Sequence, residues 1–279
     1  MPPTFRPMTA ADIPFGMRLK TEAGWNQTEA DWRRFLALSQ GGTLVAERDG
    51  AAVGTVATFL FGPIGWVAML LVGKRWRHQG IGGSLLQCAV ALLKDRGAST
   101  IRLDATPLGR PMYADFGFQA EYDLWRFEGT PRGAAAEEMA TGLGRDLDRV
   151  CRLDRQVTGT DRRALLAALA GEQSASPLIA ATTGDPAGYL FTRPGSRAVQ
   201  IGPAAARDAA TGARLLNAVA NRLAAATVLI DIPEPNAAAT RWAEKQGLVR
   251  QRVLTRMRLG QPVNDRVEML WASSGPEKG

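Results

Sequence analysis

Residues 51–73 run for 23 positions without a charge, and basic residues stand directly behind them at Lys74, Arg75 and Arg77. Such a run has two physical solutions, a membrane-spanning helix with a positive flank or a pair of buried strands. Gly62, Pro63 and Gly65 interrupt it near the middle, and Val, Thr, Phe and Trp dominate on both sides. Branched and aromatic side chains suit a pleated surface, and a Gly-Pro step suits a tight turn better than a helix interior. The run therefore reads as a buried hairpin, strands over 52–61 and 64–72, with no membrane partner.

A buried hairpin needs helices laid over it, and the flanking sequence supplies them. Thr9 with Asp12 marks one helix start and Thr28 another, the second carrying Trp32, Phe35 and Leu36 on one face. Short strands fit 4–8 and 43–47. From residue 82 to about 94, Leu85, Leu86, Ala89, Leu92 and Leu93 recur at helical spacing until Gly97 stops them. A strand over 100–105, a short helix over 110–115 and a strand over 118–128 complete an alternating α/β (α+β) order.

Breakers and small residues over 129–136 carry no apolar period, which places a boundary near residue 131, between a unit over 1–130 and a second over 137–272. The second half repeats the order of the first. Strands fit 198–202, 228–231 and 250–259. One helix carries Leu215, Leu216, Val219 and Leu223, and another spans 237–246 before Gly247. A divergent internal duplication explains this, and 279 residues suffice for two such domains.

Several chemistries are excluded early. The chain holds one histidine, His78, and two cysteines, Cys88 and Cys151, so clustered His/Cys zinc sites cannot be built and no metal is expected. The net charge of +7 is spread over dispersed arginines, which argues for a solvated surface and against a nucleic-acid stripe. Two cysteines 63 positions apart make no disulfide framework, and the start lacks the pattern of a secretory leader. The expected compartment is the cytoplasm.

The informative segment is 70–86, where the strand residues Leu70, Leu71 and Val72 run through Gly73 and Arg77-His78-Gln79-Gly80-Ile81-Gly82-Gly83 into a helix. Glycines let a ligand approach the backbone closely. Free amides at a helix start, with the positive end of its dipole, make a cradle for a pyrophosphate. The spacing fits neither a Walker loop nor a dinucleotide-binding fingerprint. It resembles motif A of the GNAT superfamily of acetyl-CoA-dependent N-acetyltransferases, Arg/Gln-x-x-Gly-x-Gly/Ala, filled here by Arg77, Gly80 and Gly82. Phe5-Arg6-Pro7 with its helix, the strand over 101–105 and Tyr113-Ala114-Asp115-Phe116-Gly117-Phe118 stand where that family has comparable features.

The resemblance implies two tandem GNAT-like domains, each a mixed central sheet flanked by helices, working as a monomer or homodimer. It implies acetyl-CoA as cosubstrate, with main-chain amides of His78, Gln79, Gly80, Ile81, Gly82 and Gly83 on the pyrophosphate and Arg77 adding charge. Leu70, Leu71 and Val72 would pair with the pantetheine arm, an amide near Leu71 would polarise the thioester, and Tyr113 would protonate the departing thiolate. The loop holding Trp25 and Asn26 would shape the amine acceptor's site. The family often takes a base from the strand that is 66–72 here. That strand has no carboxylate, so Glu22 and Asp104 acting through water are the candidates. Thr106-Pro107 stands where relatives often have an asparagine.

The second half resembles a degenerate GNAT domain. Residues 204–213 lack the glycine core, Trp242 falls near the tyrosine's place, and productive donor binding is not expected there. Asn236, Arg193 and Arg256 are read as surface or interdomain residues, and Cys88 as core. A non-catalytic acyl-CoA-binding regulatory module is the alternative reading.

Overall fold

The computed structural model describes residues 2–133, 140–141, 147–172, 177–180 and 185–275. The end of the expected linker, residues 134–136, lies outside them. The first half runs β1 (Thr4–Pro7), α1 (Ile13–Glu22), α2 (Glu29–Ser39), β2 (Leu44–Arg48), β3 (Ala51–Phe61), β4 (Ile64–Val72), α3 (Ile81–Asp95), β5 (Thr100–Ala105), α4 (Arg110–Asp115) and β6 (Gln119–Gly129). The second runs β7 (Ala140–Thr141), α5 (Leu147–Thr158), α6 (Arg163–Ala170), β8 (Leu178–Ala180), β9 (Gly188–Arg193), β10 (Val199–Ala206), α7 (Ala209–Arg222), β11 (Val228–Pro233), α8 (Ala237–Lys245), β12 (Val249–Gly260) and β13 (Leu270–Ala272).

Local chemistry explains the helix starts. The Thr28 hydroxyl accepts from the amide of Asp31, whose carboxylate accepts from the Thr28 amide at 2.8 Å, so two orphan donors are satisfied reciprocally. At the first start, Asp12 accepts from both the amide and the hydroxyl of Thr9, and a short 3-10 turn precedes α1. The uncharged run is the antiparallel pair β3 and β4, turning at Gly62 with φ of 56°. No helix among the described residues is long and apolar enough to cross a membrane.

Thirteen strands form one mixed sheet among the described residues, in the order β1-β2-β3-β4-β5-β12-β6-β11-β10-β9-β8-β7, with β13 on β10. The halves interlock. β12 of the second half pairs with β5 of the first, Thr255 opposite Ala105 through Gly260 opposite Thr100, while β6 of the first pairs with β11 of the second. β4/β5 and β10/β11 are the corresponding parallel pairs, each followed or crossed over by a helix, as the repeat in the sequence requires.

One apolar core also crosses between the halves. Trp32, Phe35 and Phe59 share it with Leu153, Leu165, Leu166 and Tyr189, so α5 and α6 cover the same sheet face as α1 and α2. Separate cores form under α3 and around α7 and α8. The boundary is sewn by buried ion pairs: Asp31 meets Arg193 at 2.8 Å, Arg34 meets Glu172, and Asp104 meets Arg256.

Candidate active site

β4 and β5 begin as neighbours, with Ile64, Gly65 and Trp66 opposite Thr100, Ile101 and Arg102, and no pairing joins them beyond that point. On its other edge β4 stays with β3, but the register shifts between Thr55 and Ala57. Met69 takes up the extra length at φ of 49°, and the Thr55 hydroxyl donates to its carbonyl at 2.9 Å. A bulge of this kind bends a strand, so residues 67–72 turn from β5 and keep an edge of main-chain groups without a strand partner. The gap opens into a cleft of about 670 Å³.

At one end the cleft reaches the turn before α3. His78 (φ 60°) and Gly80 (φ 78°) occupy the left-handed region, and Gly80 caps α3 without any side-chain hydrogen bond. The amides opening the helix at Ile81, Gly82 and Gly83 precede the first intrahelical donor and have no intrahelical acceptor. A Cβ on Gly82 would meet nothing nearer than 3.7 Å, and one on Gly83 nothing within 4 Å, so the approach is open. Arg77, His78, Gly80, Ile81, Gly82 and Gly83 line the cleft with Leu70, Leu71 and Val72. The Arg77 Nε donates to the Val72 carbonyl at 3.0 Å and ties the turn to the strand. Gln79 does not line the cleft. Its side chain accepts from Arg48 and donates to the Arg75 carbonyl, bracing the turn from outside.

Tyr113 projects from α4 into the cleft, half-buried, with its ring edge-on to Phe118 at 6.0 Å. No group among the described residues holds its hydroxyl. Desolvation pushes its pKa above that of an ordinary phenol, which keeps the ring neutral throughout the physiological range.

The rest of the cleft combines both halves. Trp25 and Glu22 line the cleft, and Glu22 accepts from the Lys74 amide at 3.3 Å. Asn26 is not brought there. Its Nδ2 donates to the Ala198 carbonyl and its Oδ1 accepts from the amides of Arg197 and Ala198, so this buried side chain staples the loop to the second half. Asp104 lines the cleft but is held by Arg256 through two bonds of 2.8 and 2.9 Å. Burial raises its pKa against the pull of that guanidinium. Arg252 and Leu254 of β12 also line the cleft. Sequence reasoning does not find these two, because nothing local records that β12 inserts beside β5.

The corresponding place in the second half is filled. Beyond Ile201 and Ile230 the strands β10 and β11 part, and β13 lies in the opening, with Ala204 opposite Ala272 and the Ser273 amide donating to Asp231 at 2.9 Å. Trp271 presses on α7 so closely that a Cβ at Gly212 would sit 1.9 Å from its ring. Where α3 offers bare amides, α7 is capped by the Asp208 carboxylate, which accepts from Thr211 at 2.8 Å. Trp242 is buried and bonded to Asn217. Arg193 and Arg256 act between the halves, whereas Asn236 is neither surface nor interdomain: it caps α8 and donates to the Leu270 carbonyl. Among the described residues no group of three or more His, Cys, Asp or Glu side chains is placed to hold a metal ion.

A model of the acetyltransferase (GNAT) family matches residues 14–118, and an acetyltransferase (GNAT) domain model matches residues 150–272. No curated protein matches the chain. Among solved structures, a Pyrococcus horikoshii protein described as an acetyltransferase is 24% identical and superimposes with a TM-score of 0.89 over 100% of this chain and 96% of its own. A GCN5-related N-acetyltransferase from Sphaerobacter thermophilus is 17% identical, with a TM-score of 0.66 over 95% and 98% of the two chains. A tandem GNAT protein of the clavulanic acid biosynthesis pathway is 18% identical, with a TM-score of 0.64 over 92% and 98%.

Proposed function

Since this chain belongs to the GNAT acetyltransferase superfamily and carries two of its domains in tandem, we propose that its first half binds acetyl-CoA and passes the acetyl group to an amine by direct attack in a ternary complex. The observation that carries the reading is the parting of β4 from β5 onto an uncapped helix start, which fits a long anionic thioester. The amides of His78, Gly80, Ile81, Gly82 and Gly83 receive the pyrophosphate, and the free edge of residues 67–72 takes the pantetheine arm as an added strand would. An amide near Leu71 polarises the thioester carbonyl. The amine nitrogen attacks that carbon, the carbon–sulfur bond breaks, and Tyr113 gives its proton to the leaving thiolate. The attacking nitrogen loses a proton through water to Glu22, since Asp104 is committed to Arg256. Two free thiols suit a reaction in the cytoplasm.

In this reading the second half binds no donor: β13 stands where a pantetheine would lie, and the Asp208 carboxylate stands where a phosphate would. Its part is to close the acceptor side of the cleft. Calorimetry with acetyl-CoA should therefore find one site per chain, and Gly82→Trp, which points an indole into the open cradle, should weaken it at least about 100-fold. Two sites, or unchanged affinity in the variant, would count against the assignment. Tyr113→Phe should lower kcat by about 100-fold while leaving acetyl-CoA affinity intact, measured as thiol release over a panel of amines. Tight donor binding with no thiol release from any amine would favour the non-catalytic acyl-CoA-binding alternative.

A further inference from the structure

We propose that the acceptor carries a carboxylate beside its amine, and that Arg252, supplied by the second half, is the residue that binds it. The inference rests on the transferase reading above and deepens it to a substrate class.

Most buried arginines around the site have their carboxylate. Arg102 pairs with Glu121 and Asp265, Arg126 with Asp231, Arg162 with Asp154, and Arg256 with Asp104. Arg252 has none. It lines the cleft, and its Nε is sealed from water without a hydrogen-bond partner. The acids near it are engaged elsewhere: Asp231 holds Arg126 through two bonds of 2.7 Å, and Glu128 faces Arg197 at 3.7 Å. Burial and the neighbouring Arg126 guanidinium bring its pKa down to about 10, which leaves it cationic at neutral pH. A largely buried cation that no carboxylate holds directly is costly, and Asp231 and Glu128 offset that cost only from a distance.

Its position suits an acceptor. Arg252 stands opposite Arg126 on β6, and Arg256 opposite Tyr122, so residues 252, 254 and 256 project from one face of the sheet. Arg256 lies over Trp66 at 4.8 Å, and Trp66 belongs to the core beneath α1 and α2, which makes this the face opposite α3. Arg252 lies beyond the end of β5, about 13 Å along the strand from Arg256. An acceptor anchored there shares the cleft with Trp25, Glu22 and Met69 of the β4 bulge. The guanidinium fork fits the oxygens of either anion, but a single positive charge balances a singly charged carboxylate and leaves a dianionic phosphate half uncompensated.

The test uses the full chain with acetyl-CoA and three acceptor pools: the twenty protein L-amino acids, their carboxamides, and phosphorylated amines such as phosphoethanolamine. Thiol release is expected from the acids and about 100-fold less from carboxamides at equal concentration. Arg252→Gln should raise KM for the acids about 100-fold, collapse the discrimination between acid and carboxamide, and leave acetyl-CoA affinity unchanged. Its thermal midpoint should equal or exceed the wild-type value, because an incompletely offset charge has been removed; a fall would mark Arg252 as structural and overturn the inference. Arg252→Lys, which keeps charge without the fork, should lie between. Equal use of acids and carboxamides, a preference for phosphorylated amines, or a loss of acetyl-CoA affinity in Arg252→Gln overturns the inference and leaves the transferase reading standing. No thiol release from any pool, by a chain that still binds acetyl-CoA, defeats the transferase reading and this one with it.

Discussion

A chain divided after residue 133 is expected to give two pieces that do not fold when made apart and that recover a common structure only when made together. Without the second half, β5 loses β12 from its edge and β6 loses β11 and β12, the strands it pairs with on either side. The core loses Leu153, Leu165, Leu166 and Tyr189 from contact with Trp32, Phe35 and Phe59. A fully buried side chain of this size is worth about 1.5–3 kcal/mol, and a whole domain has a margin of about 5–15 kcal/mol, so losing several removes the margin. Far-ultraviolet circular dichroism and sedimentation of the pieces, separately and co-expressed, measure this. A soluble first piece with a cooperative melt would show that the interlocking is dispensable.

Removing Arg256 should be the most damaging single substitution away from the turn before α3. Its guanidinium bonds Asp104 twice and the Tyr122 hydroxyl once, between the rings of Trp66 and Tyr122. Arg256→Met strands a carboxylate whose side chain is wholly buried, at a cost of about 3–5 kcal/mol. Asp104 already has its pKa raised by burial, and Arg256 is the largest influence opposing that rise. In the variant the folded state therefore holds the Asp104 proton to higher pH than the unfolded chain does. Stability falls as pH climbs from the ordinary carboxylate value toward the raised one, so the defect should be larger at pH 7 than at pH 5. Denaturant titrations at both values check this. Arg256→Met with Asp104→Leu should recover much of the loss, since no orphan charge remains. A defect of the same size at both pH values would mean that packing, not the stranded acid, is the cause.

What could be read from the chain followed how local its cause was. The β3–β4 hairpin was legible because Gly62, Pro63 and Gly65 punctuate it, and the turn before α3 because Gly80 takes a left-handed backbone and Gly82 leaves the helix start uncovered. Thr28 announced α2 through a bond three residues away. α5 and α6 were missed because Asp154 and Arg162 look like surface charges and are in fact a buried pair. β13 was missed because three residues carry no period. Asn26 was misplaced for a different reason: the loop between α1 and α2 serves the cleft with Trp25 and the junction with Asn26, and sequence position does not separate neighbours that face opposite ways. Arg252 and the insertion of β12 depend on contacts across more than a hundred residues, where no pattern in the chain points.

The interleaved strand order also sets a timetable for synthesis. Asp104 waits for Arg256, 152 positions downstream. At about 5–20 residues per second, a ribosome takes roughly 6–25 s to travel from residue 133 to residue 260. Throughout that interval the edges of β5 and β6 that β12 will join stay open, a template for association with other chains. A protein built this way depends on whatever shields it during translation more than two independently closing domains would.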